Sequence, residues 1–419
     1  MTRNALRIAW TITGIAALVL LTLTVTLAIR ARSLPQPVVA APVAPAPVGD
    51  SDATASPTRI AATGPADNGL IAFSSDRDGN VEIYVMQPDG SDIRRITDDP
   101  AEDHSPSWTL DGSRLVWLRS QQAVDAAPAW SAMTAAPDGS DQRTVITGNG
   151  WLMAAAENPA AAQAALYVVE DGNENGEPDL DDPHRLLLID LANLDAQPLD
   201  LLAVSEGIAP SPRFANGVLQ WSVDGTTLYL LLTVNDEDGL YALPVAGGAP
   251  ELISAGQVEL AALSPDGTQM AIWRAFEDTG RRQRRLFLHN LDTGLETPFL
   301  MGGLAFQAIN GLQWSRDGSQ LVFGGFTGAS TPDIYVLDAQ LDELDAVSQQ
   351  VADPAFEPAL SPDGAQIVFQ AQPFRASGQG FEPAGDANLY LVDHLGDDAV
   401  QLTDQQGNNY DAAWQPVFR

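Results

Sequence analysis

The chain has 419 residues, of which 45% are hydrophobic, so it is long enough to bury a large core or a ring of repeated units. Its formal net charge of −34, from 55 acidic residues against 21 basic ones that are all arginine, disfavours nucleic acid as a partner. The absence of cysteine excludes disulfides, thiol catalysis, cysteine-type zinc sites and lipoprotein acylation.

The first predicted element is an apolar run at residues 8–29, which follows a short N-terminal tail at residues 1–7. As a helix it would be roughly 33 Å long at about 1.5 Å per residue, enough to cross a bilayer. The run is longer than the apolar part of a typical signal peptide, and Arg30-Ala31-Arg32 is a poor cleavage site. We therefore expect a single-pass transmembrane anchor, with a cleaved signal peptide as the alternative. The flanking arginines are equal in number and leave the orientation open.

Residues 30–68 follow as a linker rich in proline and alanine. Seven prolines fall between residues 33 and 66. Because proline fixes φ and lacks an N–H group, such a segment favours extended polyproline conformations. We expect a semi-rigid stalk that holds a folded domain away from a membrane.

Residues 69–419 repeat a short pattern in which an apolar strand leads into an Asp-Gly turn and a second apolar strand follows. The turn aspartates are Asp111, Asp224, Asp266, Asp317 and Asp363, with spacings of 113, 42, 51 and 46. The first spacing is close to two periods, which places one degenerate unit at residues 149–205. Four antiparallel strands at a period of about 40 to 50 residues are typical of a propeller blade.

The two ends of this domain predict how the ring closes. It begins at Gly69 with a strand that corresponds to the second of a blade, and it ends at residues 412–419 with a strand that corresponds to a first. Joined, the two fragments complete one blade and remove the open sheet edges. The fold class is thus all-β, a seven-bladed β-propeller with units at 105–147, 149–205, 208–254, 257–300, 308–348 and 355–404 beside the shared blade. Six or eight blades are the alternatives.

Residues 74–117 resemble the repeat of TolB-type propellers, a group related to WD40-like propellers. The resemblance rests on the Asp-Arg-Asp-Gly-Asn hairpin, the Ile-Tyr-Val-Met strand, the Asp-Gly turn and the Ser-Pro-Ser-Trp start of the next unit. It implies a β-propeller that binds a protein in the cell envelope. TolB itself has six blades, so the seven units counted here depart from it and weaken any transfer of its partner.

The segment 171–182, DGNENGEPDLDD, has the spacing of a calcium-binding loop. Oxygen-bearing side chains or carbonyls recur at alternate positions, and the candidate ligands are Asp171, Asn173, Asn175, Glu177, Asp179 and Asp182. Because Pro178-Asp179 is followed by an acid at position 12, the loop resembles those of thrombospondin type 3 repeats more than a helical EF-hand, and the flanking segments read as strands. We expect Ca²⁺ to stiffen the loop. A solvated acidic hairpin is the alternative.

Function is predicted to reside on one face of the propeller, where the loops are irregular. Candidate partner-binding residues come from an arginine run and a long loop at about 371–387: Arg281, Arg282, Arg284, Arg285, Phe374, Arg375 and Phe381. The alternatives are a solvated hairpin tip balanced by Glu277 and Asp278, and aromatic side chains that pack on their own blade.

The chain is therefore predicted to be a propeller at the cell membrane, on the extracytoplasmic side, that binds an unknown protein or envelope ligand and not nucleic acid. No catalytic residue is assigned, because the four histidines lack metal-ligand spacing and no Gly-x-Ser-x-Gly motif occurs. A propeller-type carbohydrate-active or hydrolytic enzyme is the second hypothesis. A cluster of three or more ionisable side chains at the channel would favour it. A sensor ectodomain is the third.

Overall fold

The computed structural model describes residues 68–121, 129–173, 178–203, 208–278, 280–328, 331–377, 380–404 and 406–417. The predicted tail, anchor and most of the stalk, residues 1–67, lie outside these ranges. Among the residues that are described, no helix has the length and apolar character needed to cross a membrane. The regular structure consists of strands with two single turns of 3₁₀ helix, at Phe214–Asn216 and Met301–Gly303.

The first three sheets follow one another along the chain, and neighbouring strands in each are antiparallel. The first sheet contains β1 (Ile71–Ser75), β2 (Glu82–Met86) and β3 (Arg94–Arg95). The second contains β4 (Glu102–Trp108), β5 (Leu115–Gln121), β6 (Ala129–Ala135) and β7 (Arg143–Asn149). The third contains β8 (Trp151–Glu157), β9 (Gln163–Val169), β10 (His184–Asp190) and β11 (Leu199–Asp200).

In the fourth sheet the innermost strand is divided in two. It contains β12 (Ile208–Pro210), β13 (Leu219–Trp221), β14 (Thr227–Val234), β15 (Glu237–Pro244) and β16 (Glu251–Ala255). The fifth contains β17 (Val258–Leu263), β18 (Gln269–Asp278), β19 (Arg281–Asn290) and β20 (Glu296–Pro298). The sixth contains β21 (Ala308–Trp314), β22 (Gln320–Phe326), β23 (Asp333–Asp338) and β24 (Leu344–Ala346).

The seventh sheet carries an inserted hairpin between its second and third strands. Its strands are β25 (Ala355–Leu360), β26 (Gln366–Ala371), β29 (Asn388–Asp393) and β30 (Val400–Gln401). The hairpin consists of β27 (Phe374–Ser377) and β28 (Gly380–Pro383), a separate two-stranded sheet. The segment 371–387 is therefore not the irregular loop that the sequence predicts, because its middle pairs with itself.

The last strand, β31 (Asn409–Trp414), completes the first sheet. It pairs antiparallel with β1, and Ile71 lies opposite Trp414. The resulting order β3-β2-β1-β31 is the shared blade that the sequence predicts. The seven-bladed propeller is thus confirmed, and the strands fall within a few residues of the predicted unit boundaries.

A hydrophobic core fills the space between each pair of neighbouring blades. One cluster joins Ile71 and Met86 of the first blade to Val368 and Leu391 of the seventh. Six further clusters repeat this arrangement around the ring. Because every blade is sandwiched between two others, its strands read as nearly continuous apolar runs.

Each Asp-Gly turn is stabilised by its aspartate, as the sequence predicts. In the sixth blade, Asp317 Oδ1 accepts hydrogen bonds from the Ser315 hydroxyl at 2.7 Å and from the Ser319 amide at 3.0 Å. The same pair of bonds recurs at the other four turn aspartates. The glycine that follows Asp317 has a φ of 72°, a conformation that other residues rarely adopt.

Candidate channel site

The innermost strands of the seven blades surround the central channel, as in other propellers. Contacts between β25, β31 and β4 bring the seventh, first and second blades together at one side of it. All three strands carry a residue with left-handed backbone at the same position, three residues before the strand end. These residues are Ser105, Glu357 and Asp411, with φ of 52°, 50° and 55°.

This conformation follows from an irregularity in strand pairing. The register of β4 against β5 shifts between His104 and Ser107, and that of β25 against β26 shifts between Phe356 and Ala359. A residue in such a bulge is left out of the ladder and its side chain is redirected. Left-handed backbone at residues other than glycine is costly and is concentrated at functional sites.

Asp411 lies among hydroxyl groups. Its Oδ2 atom is 3.4 Å from the Ser74 hydroxyl and 3.4 Å from the Ser105 hydroxyl, both of which can donate to it. The Ser74 hydroxyl in turn accepts a hydrogen bond from the Ser105 amide at 3.1 Å. Within the described ranges, no arginine forms an ion pair with Asp411 or with Glu357. The two carboxylates therefore repel each other when both are charged, and His104 partly offsets the charge of Asp411.

Their environment favours the protonated forms. Burial among protein atoms raises the pKa of Glu357 to about 7, and the negative charge of Asp411 adds to this effect. Burial also raises the pKa of Asp411, while the nearby His104 opposes the rise. Both residues are partly exposed to solvent. The pair therefore retains a proton at pH values where isolated carboxylates have lost theirs.

A chain of polar contacts runs from the second blade to this pair. The Nε2 atom of His104 is 2.7 Å from the Ser120 hydroxyl, and its Nδ1 atom is 3.1 Å from the Ser105 hydroxyl. Ser105 then reaches Asp411. The side chains of His104, Glu357 and Asp411 thus form a group of three ionisable residues that converge only in the closed ring.

The surroundings of the pair are negative. Burial, followed by the charges of Asp411, Asp76 and Glu102, raises the pKa of Tyr410. A site of this kind can hold a ligand through hydrogen bonds, and an acid pair that retains a proton can donate and accept protons. Sequence reasoning missed it, because no pattern connects residues on three different blades. The one local signal is a proline directly after Ser105 and after Glu357.

The predicted calcium loop connects β9 and β10, which are the strands predicted on either side. Asp182 is buried and its carboxylate shapes the loop, since it accepts hydrogen bonds from the amides of Gly172 at 3.0 Å and Asp179 at 3.0 Å. The Asn173 side-chain amide lies 3.2 Å from both carboxylate oxygens of Asp179.

Of the remaining predicted ligands, Asp171 lies within the described residues, whereas Asn175 and Glu177 lie outside them. Among the described residues alone, no group of three acidic or histidine side chains is placed to hold a metal ion. The loop is tied to the core by His184, whose Nε2 atom is 2.8 Å from the Asp179 carbonyl oxygen and whose Nδ1 atom is 3.0 Å from the Tyr167 hydroxyl.

The arginine run lies on the β18–β19 hairpin, at the predicted position between the second and third strands of a blade. Arg284 pairs with Glu259 of β17 at 2.9 Å, and Arg285 lies over the Phe276 ring at 5.4 Å. Arg282 is 3.7 Å from Glu259 and remains 47% exposed. The side chain of Arg281 lies outside the described part of the chain. The run is thus partly neutralised by the neighbouring strand, and Arg282 is its most accessible described member.

In the inserted hairpin, Arg375 lies opposite Glu382 and pairs with it at 2.7 Å. Phe374 lies opposite Pro383, and Phe381 occupies the register position opposite Ala376. The Phe381 side chain lies outside the described residues. The hairpin alone therefore leaves the predicted aromatic contacts untested.

No family model matches the chain, and no curated protein matches its sequence. Solved structures do match it. Oligogalacturonate lyase from Vibrio parahaemolyticus is 14% identical over 78% of this chain and 86% of its own, with a TM-score of 0.55. An oligogalacturonate lyase in complex with manganese is 16% identical over 77% of this chain and 85% of its own, with a TM-score of 0.54.

TolB from Acinetobacter baumannii is also among the similar structures, at 13% identity over 83% of this chain and 67% of its own, with a TM-score of 0.46. Identities this low inform on fold alone. The arrangement of the strands, in which seven blades surround one channel, itself shows the fold. At the level of fold, the chain is a β-propeller, as its repeat predicts.

Proposed function

We propose that this chain is a membrane-anchored, extracytoplasmic binding module whose ligand enters the central channel. Residues 8–29 serve as the anchor and residues 30–68 as the stalk. The observation that carries the proposal is the convergence of His104, Glu357 and Asp411 at the channel. A scaffold with no role beyond packing would gain nothing from acids that repel each other.

The chemistry of the site favours a polar ligand. Glu357 and Asp411 can accept hydrogen bonds from hydroxyl, amide or ammonium groups, and Ser105 can donate or accept one. A ligand that donates to both acids would replace the shared proton and relieve their repulsion. Specificity would then come from a few convergent polar groups on a rigid scaffold. The ligand is a polar envelope compound or an extended segment of a partner protein.

Calcium belongs to the same proposal as a structural ion. Asp171, Asn173 and Asp179 supply hard oxygen ligands from the described part of the loop, and Asn175, Glu177 and Asp182 complete the set by their spacing. The backbone hydrogen bonds to Asp182 hold the two ends of the loop together, which preorganises it. Millimolar calcium outside the cell suits a site of moderate affinity.

The arginine run is proposed as a secondary contact for a partner with an anionic group. Burial, together with the charge of Arg284 and that of Arg213, lowers the pKa of Arg282, while Glu259 opposes the shift. An anion beside Arg282 would offset this effect of burial and like charge. The exposed position of this side chain leaves room for such a contact.

Capture of ligands by the full chain in detergent tests the proposal. Membrane extract is passed over the wild type, over a Glu357→Gln, Asp411→Asn channel variant, and over a Glu343→Gln, Asp345→Asn variant. The last variant makes the same chemical changes at exposed positions of the sixth blade. We expect a bound species that the wild type and the exposed variant retain and the channel variant loses. Equal capture by all three would contradict a channel site.

The proposed extracytoplasmic location of the propeller is tested separately. Protease added to intact cells should degrade the propeller if it lies outside the cytoplasm, and it should leave it intact otherwise. Lysed cells provide the control in which the protease has access to both sides.

A second candidate function, a propeller-type enzyme, is favoured by the same convergence of three ionisable residues. Carboxylic acids with raised pKa values are groups that general acid–base catalysis uses. Turnover of the captured species into a product, abolished in the channel variant, would favour the enzyme. Release of the species unchanged would favour the binding module.

A further inference from the structure

Ser105 is the exposed hydroxyl of the channel site, and it has two proton acceptors within reach. His104 Nδ1 lies 3.1 Å and Asp411 Oδ2 lies 3.4 Å from its oxygen. We propose that Ser105 is a nucleophile that takes an acyl group from a carboxylic ester entering the channel. This inference rests on the proposed function in one respect, namely that ligands enter the channel.

The backbone presents this hydroxyl in a left-handed conformation that recurs at Glu357 and Asp411. Ser105 has a φ of 52° and lies in the bulge of β4, so its side chain is displaced from the strand ladder. Strained turns expose the nucleophilic serine in the same manner in hydrolases with a nucleophile elbow. Ser107, two residues further along β4, is also exposed but has neither feature.

His104 is placed to act as the general base. If its Nε2–H group donates to the Ser120 hydroxyl at 2.7 Å, its Nδ1 atom carries the lone pair that faces Ser105. This is the tautomer that can receive the serine proton. The negative charge of Asp411 stabilises the imidazolium that results, since the two groups interact electrostatically.

The reaction balances without a redox partner. The Ser105 oxygen bonds to the ester carbonyl carbon while its proton passes to His104 Nδ1. The carbon–oxygen bond to the alcohol then breaks, and the alkoxide takes that proton and leaves as the alcohol. Water next attacks the acyl-serine, loses a proton to His104, and the acid product leaves as Ser105 regains its proton.

Labelling with a fluorophosphonate, followed by mass spectrometry of the peptides, tests the proposal on the full chain. We expect the label on Ser105, no label in Ser105→Gly, and a rate at least about 100-fold lower in His104→Asn because the base is lost. Ser105→Gly removes the hydroxyl without adding strain, since glycine accepts the positive φ. Ser107→Ala is the matched control and should label like the wild type.

Two outcomes overturn the inference. One is a folded wild type that stays unlabelled, and the other is equal labelling of Ser105 and Ser107. Neither outcome bears on the proposed binding function, because ligand capture by the wild type and by Ser105→Gly is measured independently. Conversely, labelling at Ser105 without any captured ligand would sustain the nucleophile and contradict the proposed function.

Discussion

Acidic side chains experience opposite environments in two regions of this propeller. In the Asp-Gly turns, hydrogen bonds from the Ser315 hydroxyl and the Ser319 amide lower the pKa of Asp317. In the channel, burial raises the pKa of Glu357 and of Asp411. The turns use carboxylates as acceptors that complete a local structure, whereas the channel holds two acids that burial biases toward the protonated form. Acids of the first kind recur around the ring and support the scaffold, and the pair of the second kind, at one place in the ring, indicates a site.

The largest expected effect is a loss of stability, and it distinguishes a tryptophan that supports only the scaffold from one beside the channel site. Trp414 is 7% exposed and donates to the Ala359 carbonyl at 3.0 Å, and Trp221 is 6% exposed and donates to the Ala156 carbonyl at 2.9 Å. Replacing either by alanine should cost about 3–5 kcal/mol of stability, measured by denaturant unfolding. Only Trp414→Ala should also disturb the channel acids, because Trp414 lies three residues after Asp411. Loss of ligand capture in both variants alike would contradict this distinction.

The second prediction concerns the pH dependence of stability. The folded pKa of Glu357, about 7, exceeds its unfolded value, so the folded state binds the proton more tightly. The associated stability is complete below the unfolded pKa of about 4.3 and is lost as pH rises through 7. Glu357→Gln should flatten this decline and be more stable than the wild type above pH 7, by about 2 kcal/mol at most because the side chain is partly open to solvent.

Thermal unfolding at pH 5 and pH 8 measures this difference. Glu343→Gln, at an exposed position, is the control and should follow the wild type at both pH values. If the Glu357→Gln variant loses stability equally at pH 5 and pH 8, the acid pair is not strained in the folded state.

The third prediction concerns calcium in the β9–β10 loop. At a free concentration ten times the dissociation constant, binding should stabilise the fold by about 1.4 kcal/mol. Thermal unfolding with calcium and with chelator should show this shift in the wild type and lose it in Asp171→Asn, Asp179→Asn. Asp181→Asn, which changes an exposed neighbour, should keep the shift. If calcium does not change the thermal unfolding of the wild type, the proposed calcium site is contradicted.

The smallest effect is expected at a single turn. Asp317→Ala removes the acceptor of three hydrogen bonds, two from side chains and one from the backbone, and should cost about 1 kcal/mol at neutral pH. Because the pKa of Asp317 is lowered in the folded state, its contribution is present above the unfolded pKa and is lost as pH falls through the folded one. The difference in unfolding free energy between wild type and variant should therefore be smaller at pH 3 than at pH 7.

The sequence predicts the regions that repeat and fails where distant segments meet. Asp111 and its counterparts recur at a blade period, so the turns, the seven blades and the shared first blade could be predicted from spacing alone. Glu357 and Asp411 lie on different blades and approach only when β31 completes the ring. No local sequence pattern predicts that these two residues lie close together.

Pairing register accounts for the other differences. Glu259 pairs with Arg284 because β17 and β19 both flank β18, an arrangement fixed by the sheet and not by sequence neighbourhood. The hairpin β27–β28 forms within the segment 371–387, which the sequence predicts as a loop, and Arg375 pairs with Glu382 across it. Phe374 and Phe381 therefore remain predicted partner contacts and nothing more.

The contrast between turns and channel is tested most directly by titrating the carboxyl groups themselves. Infrared spectra of the full chain with ¹³C-labelled glutamate side chains, recorded from pH 3 to pH 9, follow every glutamate at once. The wild type should show one carboxyl that loses its proton at about pH 7, and Glu357→Gln should lack it while all other glutamates titrate as before. Identical curves for wild type and Glu357→Gln, with every glutamate ionised by about pH 5, would contradict a strained acid pair in the channel.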